Sequence, residues 1–77
     1  MKTTIQLNNI QDVKAFISLT ENIPENLDFV QGRYVIDAKS IMGIFSLDLS
    51  RPLILDVGTN DENRYNEICA IFNQFLV

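Results

Sequence analysis

Apolar and polar residues alternate from Thr3 to Leu7 (TTIQL), placing Ile5 and Leu7 on one side and Thr4 and Gln6 on the other. That period of two predicts a half-buried strand. Asn8 or Asn9 follows as a helix N-cap, and Asn8 with Gln11 three residues on has the spacing of a capping box. Val13, Phe16, Ile17 and Thr20 then recur at helical spacing and predict one buried stripe. Pro24 closes this helix, because a residue before proline is displaced from the α region. Leu27–Val30 and Arg33–Ala38 are two β-prone runs joined at Gln31-Gly32, where glycine supplies the positive φ of a tight hairpin. With Leu27 and Phe29 facing inward, Tyr34, Ile36 and Ala38 share that side.

Ser40 is the next N-cap, and Ile41, Met42, Ile44 and Phe45 fit a helix of about two turns that Gly43 keeps intrinsically weak. Ile44 and Leu47 are expected in the core, and Met42 and Phe45 at the surface. Arg51-Pro52 ends the segment. Leu53, Leu55 and Val57 alternate with Ile54 and Asp56 as a fourth strand. Gly58-Thr59-Asn60 turns the chain, Asn60 or Asp61 caps the last helix, and Glu62 suits its first turn. Tyr65, Ile68, Cys69, Phe72 and Phe75 repeat at steps of three and four. The order β-α-β-β-α-β-α predicts an α+β fold: a four-stranded antiparallel sheet with three helices on one face, an open-faced sandwich in which every apolar stripe is buried.

Composition agrees with one small globular unit over residues 1–77. The chain is 47% hydrophobic and 21% charged, with three glycines and two prolines. Its net charge is −4, and no run of basic residues is present, which argues against direct nucleic-acid binding. No apolar run approaches a bilayer span and no signal-peptide pattern opens the chain, so no membrane association is expected. With a single cysteine, Cys69, there is no intrachain disulfide, which fits a cytoplasmic protein.

The segment Ala38–Ser50 (AKSIMGIFSLDLS) resembles the regulatory segment of the HPr family, small phosphocarriers of the bacterial sugar phosphotransferase system. There a Lys-Ser pair opens a short helix carrying apolar residues and a glycine. Asp61-Glu62 before the last helix is similar too, and the element order matches along nearly the whole chain. The resemblance implies the HPr-like open-faced sandwich. It also implies a phosphocarrier loop after the first strand, Gly-x-His-Ala-Arg-Pro in the family, with a phosphate-accepting histidine and a steadying arginine. This chain has no histidine. Ile10 or its neighbour stands in the histidine's place, with Gln11 beside it, and Asp12 falls near the arginine. A carboxylate repels a phosphoryl group, so this loop is degenerate and carriage of phosphate on histidine is excluded.

What the resemblance leaves is Ser40. In the family the matching serine is phosphorylated by the ATP-dependent HPr kinase, and the Crh variant, which lacks the histidine, works through that serine. A phosphoserine adds about −1.5 to −2 charges, and amides at a helix start favour them. Lys39 is the expected phosphate-stabilising neighbour, and Ile41, Met42 and Phe45 the expected docking surface. The expected partners are proteins: HPr kinase, phosphotransferase-system components or a transcription regulator. The alternative is an interaction module on the same fold without phosphate chemistry. A serine opening a helix is most often a cap and nothing more. Cys69 is expected as a buried, inert thiol, and Tyr34 and Tyr65 as core or rim. Asp56, Asp61, Glu62 and Glu67 match no calcium loop and read as solvated charge. Without a metal cluster, a phosphate-binding glycine loop or a nucleophile–base pair, the expectation is a non-enzyme with no cofactor.

Overall fold

The computed structural model describes residues 1–77. Its elements are β1 (Lys2–Ile5), α1 (Ile10–Thr20), β2 (Leu27–Gln31), β3 (Tyr34–Asp37), α2 (Ile41–Phe45), β4 (Leu53–Val57) and α3 (Glu62–Ile71), with a 3₁₀ turn at Asn73–Phe75. The four strands form one antiparallel sheet in the order β1-β4-β2-β3. The expected α+β open-faced sandwich is therefore the fold, with the three helices on one face.

Register explains which residues are inside. Thr3 and Ile5 stand opposite Leu55 and Leu53, and Leu27 and Phe29 opposite Val57 and Leu55. These positions share the helix-covered face, and all but Thr3 are buried. Val13 and Phe16 of α1, Ile44 of α2, and Ile68 and Phe72 from α3 and its end close the core over them. Phe16 sits at its centre, with ring centroids 5.1 Å from Phe29, 4.6 Å from Phe72 and 6.1 Å from Phe75. On the other face the row Thr4, Ile54, Val30 and Val35 is open to solvent to varying degrees. No helix is long and apolar enough to cross a membrane.

Several local expectations are corrected. The first strand covers Lys2–Ile5, and Leu7 is buried beyond its end. The α1 cap is Asn9, whose Oδ1 accepts from the Asp12 amide at 2.8 Å, while Asp12 Oδ2 accepts from the Asn8 amide at 2.9 Å. The reciprocal cap lies one residue later than Asn8–Gln11 suggests, because the helix begins at Ile10 and so makes Asn9 the cap residue. Helix α1 ends at Thr20, before Pro24 acts, and the buried Thr20 hydroxyl donates to the Ile17 carbonyl at 2.7 Å. Tyr34 lies on the inward side of β3 but at its far end, beyond helix cover, and is 69% exposed. Cys69 is half-buried rather than buried: Ile68 takes the packed centre of α3, and Cys69, about 100° further round the helix, falls at its margin. Its last apolar residue, Phe75, reaches the core from the 3₁₀ turn instead of from a continued helix.

The outer edge of β1 is covered by the chain's end. The Gln6 amide donates to the Phe75 carbonyl at 2.9 Å, the Val77 amide to the Thr4 carbonyl at 3.2 Å, and Ile5 and Leu76 form an antiparallel bridge. The Tyr65 hydroxyl donates to the Lys2 carbonyl at 2.8 Å on the same edge, so Tyr65 serves at the rim.

Candidate functional site

The chain enters α2 through a tight turn made by Asp37. Its Oδ1 accepts from the Lys39 amide at 2.9 Å and its carbonyl from the Ser40 amide at 3.1 Å. Ser40 is thereby set in extended backbone (φ −99°, ψ 112°), the geometry of an N-cap. Its Oγ accepts from the Gly43 amide at 3.2 Å, and its carbonyl receives the Ile44 amide at 3.0 Å. The hydroxyl is half-buried and caps a helix of five residues, shorter than the two turns expected. At the other end the Ser46 hydroxyl donates to the Gly43 carbonyl at 2.6 Å.

One side of α2 packs and the other does not. Ile44 is fully buried and Leu47 nearly so, as expected. Gly43 lies against Ile36, where an added Cβ would meet Ile36 Cδ1 at 3.3 Å. Ile41, Met42 and Phe45 are 36%, 75% and 42% exposed. The three expected docking residues thus occur together at the surface beside Ser40, on one short helix.

Lys39 has a different local partner from the one expected. Its Nζ donates to the Ile23 carbonyl at 2.6 Å, tying the α2 entrance to the loop after α1. The Asp37 carboxylate, of the same sign as a phosphate, is fixed in the Ser40 turn by the Lys39 amide. The β1–α1 loop places Ile10 exposed, at 58%, and Gln11 exposed beside it. Asp12 is occupied in capping α1. Asn9–Asp12, where a phosphocarrier loop was expected, therefore presents an aliphatic side chain next to an engaged carboxylate, with neither a nucleophile nor a cation.

Two further features were invisible to local sequence patterns. Arg64, at the start of α3, binds the Glu25 carboxylate through two hydrogen bonds. This holds Glu25 down at about 2, from an ordinary 4.5, and raises Arg64 further above its usual range. A cleft of about 340 Å³ opens between the β2–β3 turn and the loop after α2. Neither has a period or spacing that marks it, because each joins residues distant in the chain.

No family model matches the chain, and no curated protein does. Among solved structures, the crystal structure of HPr-C-His from Thermoanaerobacter tengcongensis is similar, with a TM-score of 0.71 and 21% identity over 96% of this chain and 92% of that one. At that identity the likeness is one of fold: strand order and helix count agree.

Proposed function

We propose that this chain is an HPr-like regulatory protein, related to the phosphoenolpyruvate-dependent sugar phosphotransferase system, that acts through Ser40 and the exposed side of α2 instead of carrying phosphate on histidine. The observation that carries the reading is the joint exposure of Ile41, Met42 and Phe45 around a serine cap. Apolar side chains left in solvent on a helix whose opposite side is fully packed are what a protein contact uses. The HPr fold of the chain supports the same assignment. So does the absence of histidine, which removes the carrier reaction and leaves the serine segment.

In this reading a cognate HPr kinase transfers the γ-phosphoryl group of ATP to Ser40 Oγ, releasing ADP and the hydroxyl proton. The added charge of about −1.5 to −2 meets the amides opening α2. Lys39, which spends one of its three donors on the Ile23 carbonyl, has two left to serve as its counter-ion. Partners are phosphotransferase-system proteins or a transcription regulator that reads the phosphoserine with the apolar patch, and the setting is cytoplasmic. The test is labelling by HPr kinase and ATP: the wild type takes up one phosphate and Ser40→Ala none, while phosphoenolpyruvate with Enzyme I labels neither. An unlabelled wild type overturns the reading.

The engagement of Lys39 by Ile23, with Asp37 in the same turn, favours a second reading. In it the chain is an interaction module that meets its partner through Met42 and Phe45 with Ser40 unmodified. Binding that persists unchanged in Ser40→Ala, and is lost in Met42→Asp, supports this second reading over the first.

A further inference from the structure

The cleft between the β2–β3 turn and the α2–β4 loop lies apart from the exposed side of α2 and has no role in the reading above. Gln31, Gly32, Arg33, Tyr34, Asp48 and Arg51 line it. Its volume, about 340 Å³, falls at the lower end of the range of small-molecule sites. Two of its walls are fixed to one another. Gln31 Nε2 donates to the Asp48 carbonyl at 2.8 Å and the Asp48 amide donates to Gln31 Oε1 at 2.8 Å. Gly32, at φ +58°, makes the turn that sets Arg33 and Tyr34 on the rim, and nothing lies within 4 Å of where its Cβ would stand.

Of the charges here one is free and one only loosely paired. Arg33 forms neither an ion pair nor a side-chain hydrogen bond. Arg51 meets Asp48 Oδ2 at a loose 3.7 Å, with its side chain 78% exposed, an ion pair worth little in solvent. Asp48 Oδ1 is held by the Ser50 amide at 3.0 Å and its hydroxyl at 2.5 Å. Those bonds hold the carboxyl below the usual aspartate range, so it stays ionised. Tyr34 presents a largely bare ring on a side of β3 where the rest of the strand packs inward. A chain of net charge −4 that gathers two arginines, a bare aromatic ring and one ionised acceptor around a single concavity has the parts to recognise a molecule with three matching ones.

We propose that this cleft binds a nucleoside monophosphate: the phosphate between Arg33 and Arg51, the base on the Tyr34 ring, and the ribose hydroxyls donating to the Asp48 carboxylate. Arginine suits the phosphate because its planar fork matches the oxygens. As Arg51 turns to the phosphate it releases Asp48 Oδ2, which then accepts from the ribose. A bare phosphate leaves Tyr34 and Asp48 unused, and a nucleoside leaves both arginines unused.

Amide chemical-shift titration of the full chain tests this with four probes: AMP, adenosine, ribose 5-phosphate and inorganic phosphate. AMP is expected to shift the amides of Gly32, Arg33, Tyr34 and Arg51 saturably, and each of the other probes to bind about tenfold more weakly or less. Arg33→Gln, Arg51→Gln and Tyr34→Leu each weaken AMP by about fivefold or more. All three side chains are exposed, so the variants fold. The proposal is overturned by the absence of saturable shifts up to about 5 mM AMP. It is overturned equally by inorganic phosphate or ribose 5-phosphate binding as tightly as AMP, or by wild-type affinity in an Arg33→Gln/Arg51→Gln double variant.

Discussion

Arg64 grips Glu25 with two parallel hydrogen bonds, Nε to Oε2 at 2.6 Å and Nη2 to Oε1 at 2.9 Å, between residues 39 apart in the chain. Both side chains are about three-quarters covered, and a third bond from Nη1 to Glu67 at 3.2 Å steadies the guanidinium. The pair fastens the first turn of α3 to the loop that follows α1, across the end of the core. With its carboxyl at about 2 when folded and 4.5 ordinarily, Glu25 holds fewer protons in the folded chain. Its contribution to stability is therefore complete above about pH 4.5 and fades as the pH falls toward about 2. Melting curves of the wild type and Glu25→Gln are expected to differ most near neutral pH and to converge toward about pH 2.5. A constant difference across that range contradicts the coupling.

Phe16 touches three other rings, so its truncation empties the middle of the core. Phe16→Ala is expected to cost about 3–5 kcal/mol. That is comparable with the whole stability of a chain this small. Urea titration by circular dichroism is expected to show a chain largely unfolded without denaturant.

Ser40→Ala removes the side-chain acceptor of the Gly43 amide. The loss is expected at about 1 kcal/mol. Ser40→Asp keeps an acceptor at the cap, and its urea midpoint should fall between those of the wild type and the alanine variant. Equal midpoints for wild type and Ser40→Ala mean that the cap does not stabilise α2.

Gly58 follows β4 so closely that an added Cβ would lie 2.7 Å from the Asn26 carbonyl oxygen, the acceptor of the Gly58 amide at 2.8 Å. Gly58→Ala must push apart the backbone bond that joins two loops, and a loss of about 1–3 kcal/mol is expected. Chemical denaturation measures it, and an unchanged midpoint shows that the loop gives way freely.

Met42 is the most exposed apolar side chain on α2, at 75%. Met42→Asp should leave stability within about 0.5 kcal/mol of the wild type. Affinity capture with phosphotransferase-system proteins as bait should nonetheless lose the chain. Retained capture removes Met42 from the interface.

The sheet and its core were legible because their signal is local periodicity. The alternation of Leu53, Leu55 and Val57, and the steps joining Tyr65, Ile68 and Phe72, each encode one buried face. Ser40 and Asp61 were readable as caps for the same reason, since a cap and its amides lie within three residues. Local rules failed where a distant segment decides. Tyr34 has the right phase to be buried but lies past the helices that would bury it. Lys39 finds its partner 16 residues away, at Ile23, and Arg64 finds its own 39 away, at Glu25. Within the candidate site, the clustering of Ile41, Met42 and Phe45 at the surface followed from a helix too short to bury all its sides. The part Asp12 plays beside the Asn9 cap was hidden by Gln11, which has the same spacing from Asn8 and is the residue type usual in a capping box.

The pairing of Leu76 and Val77 with β1 gives the sheet a directional character. Hydrogen-bonding groups on the β1 side meet the chain's own end and the Tyr65 hydroxyl, whereas β3 has a neighbour on one side alone. A strand can be added to this sheet at β3 and not readily at β1. Two copies that join β3 to β3 consume the open edge of both, so such an assembly terminates at a pair and does not propagate as a fibre. Leu76 and Val77 thus share with Phe75 and Tyr65 the closing of the β1 edge to growth.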